Sequence, residues 1–392
     1  MRILFVSGGT SGVIFSIIPL AQAARNAGHE VFVAGPEDVM GTITHAGLPA
    51  VPVTPTSMMD TLLDDDGVRI PIPTDLHERF LFNGRCFGRF AANCLEGLIP
   101  LVDRWRPDIV VGGALAFAAP LIAAYAGVPY VKHAVDMGEP RTIDLAAAAE
   151  LGFSLERLGL YDMPRFDLFV DTCPPSLRVW DAPVAQPMRY VPYTTPKKLA
   201  PWMYTKGSRP RVMVTAGSRI TPDYYYDVLA ALVEKVQHLD VELLVGAPDD
   251  MAEKLGPLPD NVRAGWLPLD VVAPTCDVVV NHAGGNTVLG SMAHGVPQVL
   301  IPYLPYVVDY STRLTEYGAS KMIRPGDDTA ENISDAVREV LDTPSYRERA
   351  GSLRDEMALM PTPADVVHVL ETQAAQGRAE PAAPKRHELT PG

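Results

Sequence analysis

The run His282-Ala283-Gly284-Gly285-Asn286-Thr287 directly follows the apolar Val278-Val279-Val280 and reads as a strand, a tight glycine turn and a helix start. That arrangement aims backbone N–H groups and the positive end of a helix dipole at one point, which makes a phosphate site. A histidine at the strand exit adds a donor to the same anion. The expected helix closes at Gly295-Val296-Pro297, and an apolar run from Gln298 to Pro302 follows. Asp309 comes next, at a reach suited to hydroxyl groups. Phosphate cradle, buried helix, strand and carboxylate, in that order, suit a nucleotide-sugar.

Such residues need a scaffold that brings strand ends to one edge. Residues 1–6 form an apolar, β-rich run. A small-residue turn from Ser7 to Gly12 and a helix over about Ile14 to Asn26 follow, and then the strand Val31-Phe32-Val33-Ala34. This β-loop-α-β unit belongs to a parallel sheet with right-handed crossovers. It recurs at Asp108–Gly112, Pro129–Lys132 and Asp167–Val170. A second series starts after a Pro-rich connection from Tyr190 to Pro210, with strands at Arg211–Thr215, Val241–Val245, Val262–Trp266, Val278–Val280 and Val299–Ile301. Unbroken apolar strands of this kind are covered on both faces. The expected fold class is α/β, with two doubly wound Rossmann-like domains and a cleft at the carboxyl ends of their strands. Expected boundaries are 1–195 and 196–376, with 377–392 as a disordered Ala/Pro/charged tail.

The 392 residues carry a formal net charge of −14, which makes the chain a poor general partner for nucleic acid or an anionic membrane. An anionic ligand must therefore be gripped locally. Cys86, Cys94, Cys173 and Cys276 lack metal-ligand spacing and are expected to be buried free thiols in a reducing cytoplasm. No run reaches about 18 apolar residues, so no membrane span is expected. The acidic Asp64-Asp65-Asp66, inside the irregular stretch from Pro52 to Pro73, reads as a solvated loop rather than a metal site.

With these motifs in place, the chain resembles the GT-B nucleotide-sugar glycosyltransferases that tailor antibiotics, over about residues 1–375. The resemblance is carried by Gly265-Trp266-Leu267-Pro268, Pro274-Thr275-Cys276-Asp277, His282 to Thr287, Gly295-Val296-Pro297, Pro302 and Asp309. Pro201–Thr205, Gly217-Ser218-Arg219 and Pro268–Asp277 look closest to bacterial C-glycosyltransferases. Those enzymes act on angucycline and tetracycline-type aromatic polyketides with dTDP-deoxysugars such as olivose. The resemblance implies an acceptor-binding first domain, a donor-binding second domain and a dTDP-sugar co-substrate, with no metal and no other cofactor. Trp266 and Leu267 would flank the base. His282, Gly285, Asn286 and Thr287 would hold the diphosphate, with Ser218 and Arg219 reaching the same phosphates. Asp309 would face sugar hydroxyls, with Tyr310 beside it against a deoxygenated sugar. Related proteins are often dimers, so a homodimer is the assembly the resemblance suggests.

Three departures from the family pattern matter. Asn286 stands where Gly is frequent. Gly290 stands where a ribose-binding Glu is frequent, which favours a thymidine donor. Val13 stands where many O-glycosyltransferases place a basic histidine. A replacement base is then needed, and Asp136, just past the strand Tyr130-Val131-Lys132, matches the spacing of the corresponding Asp in the angucycline C-glycosyltransferases. On residue type alone Asp136 is equally a cap on a turn or helix. As a base it would deprotonate an acceptor phenol, whose ortho carbon then attacks the sugar with inversion. Thr10, Val13, Met58, Phe82 and Phe87 are candidates for the acceptor pocket. The Phe82-Phe87-Phe90 stripe, however, reads equally as core. O-transfer with the same donor is the nearest alternative. A dinucleotide oxidoreductase is the other, but Gly8-Gly9-Thr10-Ser11-Gly12 lacks the G-x-G-x-x-G order.

Overall fold

Short apolar strands assemble into two all-parallel sheets in a computed structural model that describes residues 1–64, 66–138, 141–217 and 226–379. The first sheet holds β1 (Arg2–Val6), β2 (Glu30–Pro36), β3 (Ala50–Thr54), β4 (Ile109–Gly113), β5 (Tyr130–His133), β6 (Leu168–Asp171) and β7 (Gln186–Pro187). Its spatial order is 3-2-1-4-5-6-7. The second holds β8 (Arg211–Thr215), β9 (Glu242–Gly246), β10 (Val262–Gly265), β11 (Val278–Asn281), β12 (Gln298–Leu300) and β13 (Ser320–Met322), in the order 10-9-8-11-12-13. In each sheet the strand order reverses beside the first strand, so adjacent crossovers leave on opposite faces and open a crevice at the carboxyl edge. Ile3, Leu4, Phe5, Val110, Val111, Val212, Val214, Val279 and Val280 are fully buried, as strands covered on both faces must be.

Helix α1 (Ser11–Asn26) follows β1, and helix α2 (Leu76–Trp105) crosses the same lobe. Asp75 caps α2 by accepting the Glu78 N–H at 3.0 Å. Helix α3 (Arg141–Glu150) lies directly on α2, and glycines make the approach possible. A Cβ at Gly84 would sit 2.5 Å from Ala146 Cβ, and one at Gly88 would sit 2.7 Å from Glu150 Cβ. That pairing fixes how α2 turns its aromatic residues. Phe90 goes under the first turn, where a Cβ on Gly9 would meet its ring at 2.5 Å, and Phe87 goes toward the cleft.

In the second lobe, α4 (Gly285–Ala293) follows β11 and α5 (Val308–Tyr317) follows β12. The last described helix, α6 (Pro363–Ala379), returns to the first lobe. Val366, Val367, Leu370 and Ala374 join the core of β1 and α1. A division into two consecutive segments, 1–195 and 196–376, does not anticipate this return. Nor does a tail from 377, since helix α6 runs to Ala379. All four cysteines are free and buried, and burial pushes the Cys94, Cys173 and Cys276 thiols up to about 12. Among the described residues, no helix is long and apolar enough to cross a membrane.

Candidate active site

The carboxyl ends of both sheets face a cleft lined by residues of both lobes. On the second-lobe side, β11 ends at the fully buried Asn281 and the chain turns through His282, Ala283 and Gly284 into α4. Ala283 takes φ +63, a left-handed conformation that is unusual for a residue with a side chain. Buried polar groups hold it there. Asn281 Oδ1 accepts the Ala283 N–H at 2.8 Å, and Asn281 Nδ2 donates to Gln298 Oε1 at 3.0 Å. Gln298 Nε2 in turn donates to Val288 O at 3.1 Å, and the Tyr310 hydroxyl donates to Ala283 O. The turn is therefore fixed from beneath before any ligand arrives.

The His282 imidazole sits between two glycines. A Cβ on Gly284 would lie 2.4 Å from Nε2, and one on Gly217 would lie 2.6 Å from Cε1. Gly217 also takes φ +95, so both space and backbone demand glycine there. His282, Gly285, Asn286 and Thr287 all line the cleft. Gly284, the N-cap of α4, has no side chain of its own to cap the helix, and Gly284 to Thr287 line the cleft, an arrangement of first-turn N–H groups that suits an anion. Trp266 and Leu267 line the same wall. The Trp266 N–H donates to Asp249 Oδ1 at 2.8 Å and its indole Nε1 to Thr195 O at 3.1 Å. With both donors engaged, the ring has only its face to offer a planar base.

The Asn286 side chain has a second use. Its Nδ2 donates to Gly12 O at the start of α1, and its Oδ1 accepts the Tyr190 hydroxyl at 2.9 Å. An amide on the donor-side helix therefore ties the two lobes together, while the Asn286 backbone N–H stays in the first turn of α4.

Thr10, Val13 and Phe87 line the first-lobe side of the cleft. Asp136 faces them from the loop after β5, 8 % exposed, and Gly285 presses on it from the other lobe. Burial pushes its carboxyl up to about 7, the chief cause, while the Gly138 N–H at 2.9 Å and the Arg313 guanidinium pull it down. A carboxylate that ionises near neutrality can exchange a proton with a phenol or alcohol. His133, by contrast, is fully buried, bonds through Nδ1 to Ala134 O at 2.6 Å, and is pushed down to about 4 by burial. It is a neutral packed residue.

Four expected site residues lie elsewhere. The Asp309 side chain is 81 % exposed and pairs with Arg313 at 3.5 Å, because its place in the first turn of α5 points it to solvent. Tyr310 is buried under the Gly turn, with its hydroxyl committed to Ala283 O, so it shapes the cradle rather than facing a sugar. Met58 and Phe82 are packed in the first-lobe core, where the α2 stripe has chosen core over pocket. Ser218 and Arg219 lie outside the described residues, as does Asp65. Asp64 closes a local turn by accepting the Asp66 and Val68 N–H groups at 3.1 and 2.8 Å. Sequence reasoning missed Asn281, Gln298, Tyr190 and Arg313. A polar residue closing the apolar run Val278–Val280 was the available signal for Asn281, whereas nothing in the local sequence marks Arg313.

Comparison with known proteins agrees with this geometry. Residues 22–217 match the N-terminal domain, and residues 230–373 the C-terminal domain, of the erythromycin biosynthesis protein CIII-like family. The L-demethylnoviosyl transferase of Streptomyces niveus is 31% identical over 95% of this chain and 98% of its own. The elloramycin glycosyltransferase ElmGT of Streptomyces olivaceus is 31% identical over 95% of this chain and 97% of its own. The crystal structure of the Streptomyces sp. SF2575 glycosyltransferase SsfS6, complexed with thymidine diphosphate, superposes with a TM-score of 0.82. It is 33% identical, covering 95% of this chain and 99% of that one.

Proposed function

The chain belongs to the EryCIII-like family of antibiotic-tailoring glycosyltransferases, GT-B enzymes that use nucleotide-sugar donors, and from that premise we propose that it moves a D-olivose-like deoxysugar from dTDP to a carbon of a tetracycline- or angucycline-type polyketide, with inversion. The observation that carries this reading is that Val13 and Asp136 both line the cleft. An aliphatic residue where the resemblance expects a histidine, beside a buried carboxyl raised by burial to about 7, supports Asp136 as the base.

In this mechanism Asp136 accepts the proton of an acceptor phenol, and the phenolate delivers electron density to its ortho carbon. That carbon forms a bond to the anomeric carbon as the bond to the diphosphate oxygen breaks. The ring proton then passes to water or to the departed diphosphate, the electron pair of that C–H bond restores the aromatic ring, and Asp136 returns its proton to the product oxygen. Negative charge gathering on the departing diphosphate meets the N–H groups of Gly285, Asn286 and Thr287, the α4 dipole and His282. Trp266 and Leu267 hold the thymine, and the small Gly290 suits a sugar ring with one hydroxyl fewer. The thymidine diphosphate bound by SsfS6 supports that choice of nucleotide.

The test is incubation with dTDP-olivose and a panel of tetracycline and angucycline aglycones, with products read by mass spectrometry and NMR. The expected product is an aryl glycoside that survives acid hydrolysis. Release of the sugar by acid would establish O-transfer, for which Asp136 is an equally competent base.

A further inference from the structure

We propose that Arg313, from the donor lobe, is a positioning residue for Asp136, holding the loop that carries the base so that its alignment depends on the two lobes meeting. The inference rests on Asp136 being the base.

Arg313 projects from α5 and is 18 % exposed along its side chain. Its Nη2 donates to Met137 O at 2.8 Å, and its Nη1 donates to Leu177 O. Both carbonyls belong to the first lobe, one just after β5 and the other after β6. Met137 is the residue next to Asp136, and Gly138 beyond it donates to Asp136 Oδ1 at 2.9 Å. The three-residue turn 136–138 is thus tied to its own backbone on one side and to the opposite lobe on the other. A planar guanidinium can bridge two carbonyls on separate loops, whereas an ammonium presents no such fixed fork. Asp309, which reaches Nε at 3.5 Å from the solvent side, steadies the group. This explains an exposed carboxylate that touches nothing in the cleft.

Among the described residues, Arg313 is the principal cationic influence on Asp136. On α5, Tyr310 stays protonated because burial raises its phenol. Asp171, at the end of β6, faces Asp136 but is paired with Arg178 at 2.8 Å. Lys132 on β5 acts more weakly and lies 3.8 Å from Asp144. The N-terminus of α4 abuts Asp136 through Gly285. Opening the lobes would therefore loosen the loop and remove the strongest nearby positive charge together.

The experiment compares wild type with R313M, R313K and D136N in kcat/KM pH profiles over about pH 5.5 to 9. Thymidine diphosphate affinity and thermal midpoint are measured alongside. The acidic limb of the wild type is expected near pH 7, where Asp136 ionises. In R313M it should move to higher pH, because a cation that favours the ionised carboxylate is lost, with kcat down about 10–100-fold and nucleotide affinity retained. R313K should keep the limb near its original place yet recover only part of kcat, because it restores charge without the fork. An R313M enzyme with an unmoved limb and wild-type kcat overturns the inference. If R313M does not fold, R313K at full wild-type kcat overturns it, and R313K with reduced kcat and an unmoved limb supports it. Wild-type turnover by D136N removes the base itself, a separate failure that the arginine variants cannot mimic.

Discussion

Replacing Gly285 by alanine tests the closed geometry at its tightest point. The new Cβ would lie 2.4 Å from Asp136 Cβ and 3.0 Å from Val135 O. Carbon atoms rest about 3.5–4.0 Å apart, so relief requires roughly 1–1.5 Å of separation between the start of α4 and the Asp136 loop. Both sides are backbone or Cβ, so no flexible side-chain end can absorb the strain. A misplacement of about 1 Å between reacting groups costs about 100-fold in rate. Gly285 sits in helical backbone with no positive φ, so alanine brings no conformational penalty and a better helix propensity. The expected outcome is kcat lower by about 10²-fold and a lowered thermal midpoint, since such overpacking costs about 1–3 kcal/mol, with nucleotide affinity little changed. Steady-state kinetics, calorimetric titration with thymidine diphosphate and a melting curve measure the three quantities. Gly351→Ala is the control, because it too sits in a helix and its new Cβ would meet nothing within 4 Å. Wild-type turnover by Gly285→Ala would refute the idea that Asp136 and the phosphate helix must touch for catalysis.

Three further outcomes are expected. Gly284→Ala drives a Cβ to 2.4 Å from His282 Nε2 and should weaken thymidine diphosphate binding on the order of tenfold by titration, because the imidazole must leave its slot. Asn286→Ala removes the bond to Gly12 and strips the Tyr190 hydroxyl of its best partner, so turnover should fall by the equivalent of about 1–3 kcal/mol. Tyr190→Phe on that background should then add little, a non-additivity that a double-mutant cycle reads directly. Phe82→Ala should cost about 3–5 kcal/mol of unfolding free energy in denaturant melts, with the acceptor KM of the folded fraction nearly unchanged. A large KM change there would return Phe82 to the pocket.

Two parallel sheets were legible along the chain, because apolar strands alternating with helical runs leave few other arrangements. The strand end, glycine turn and helix start from His282 to Thr287 were legible too, since that run is contiguous and its chemistry is local. Asp136 was legible from its place just past β5, and Trp266 and Leu267 from theirs at the end of β10. Contacts between distant segments, by contrast, take shape only when the chain is folded. Asp309 and Tyr310 sit side by side in sequence, yet one faces solvent and the other supports Ala283, because adjacent helix positions point about 100° apart. Met58 and Phe82 went to the core, and Phe87 to the cleft, only once Gly84 and Gly88 had seated α2 against α3. The ties from Asn286 to Gly12 and from Arg313 to Met137 span 274 and 176 residues. No local pattern encodes such pairs, since neither partner acquires its role until the lobes close.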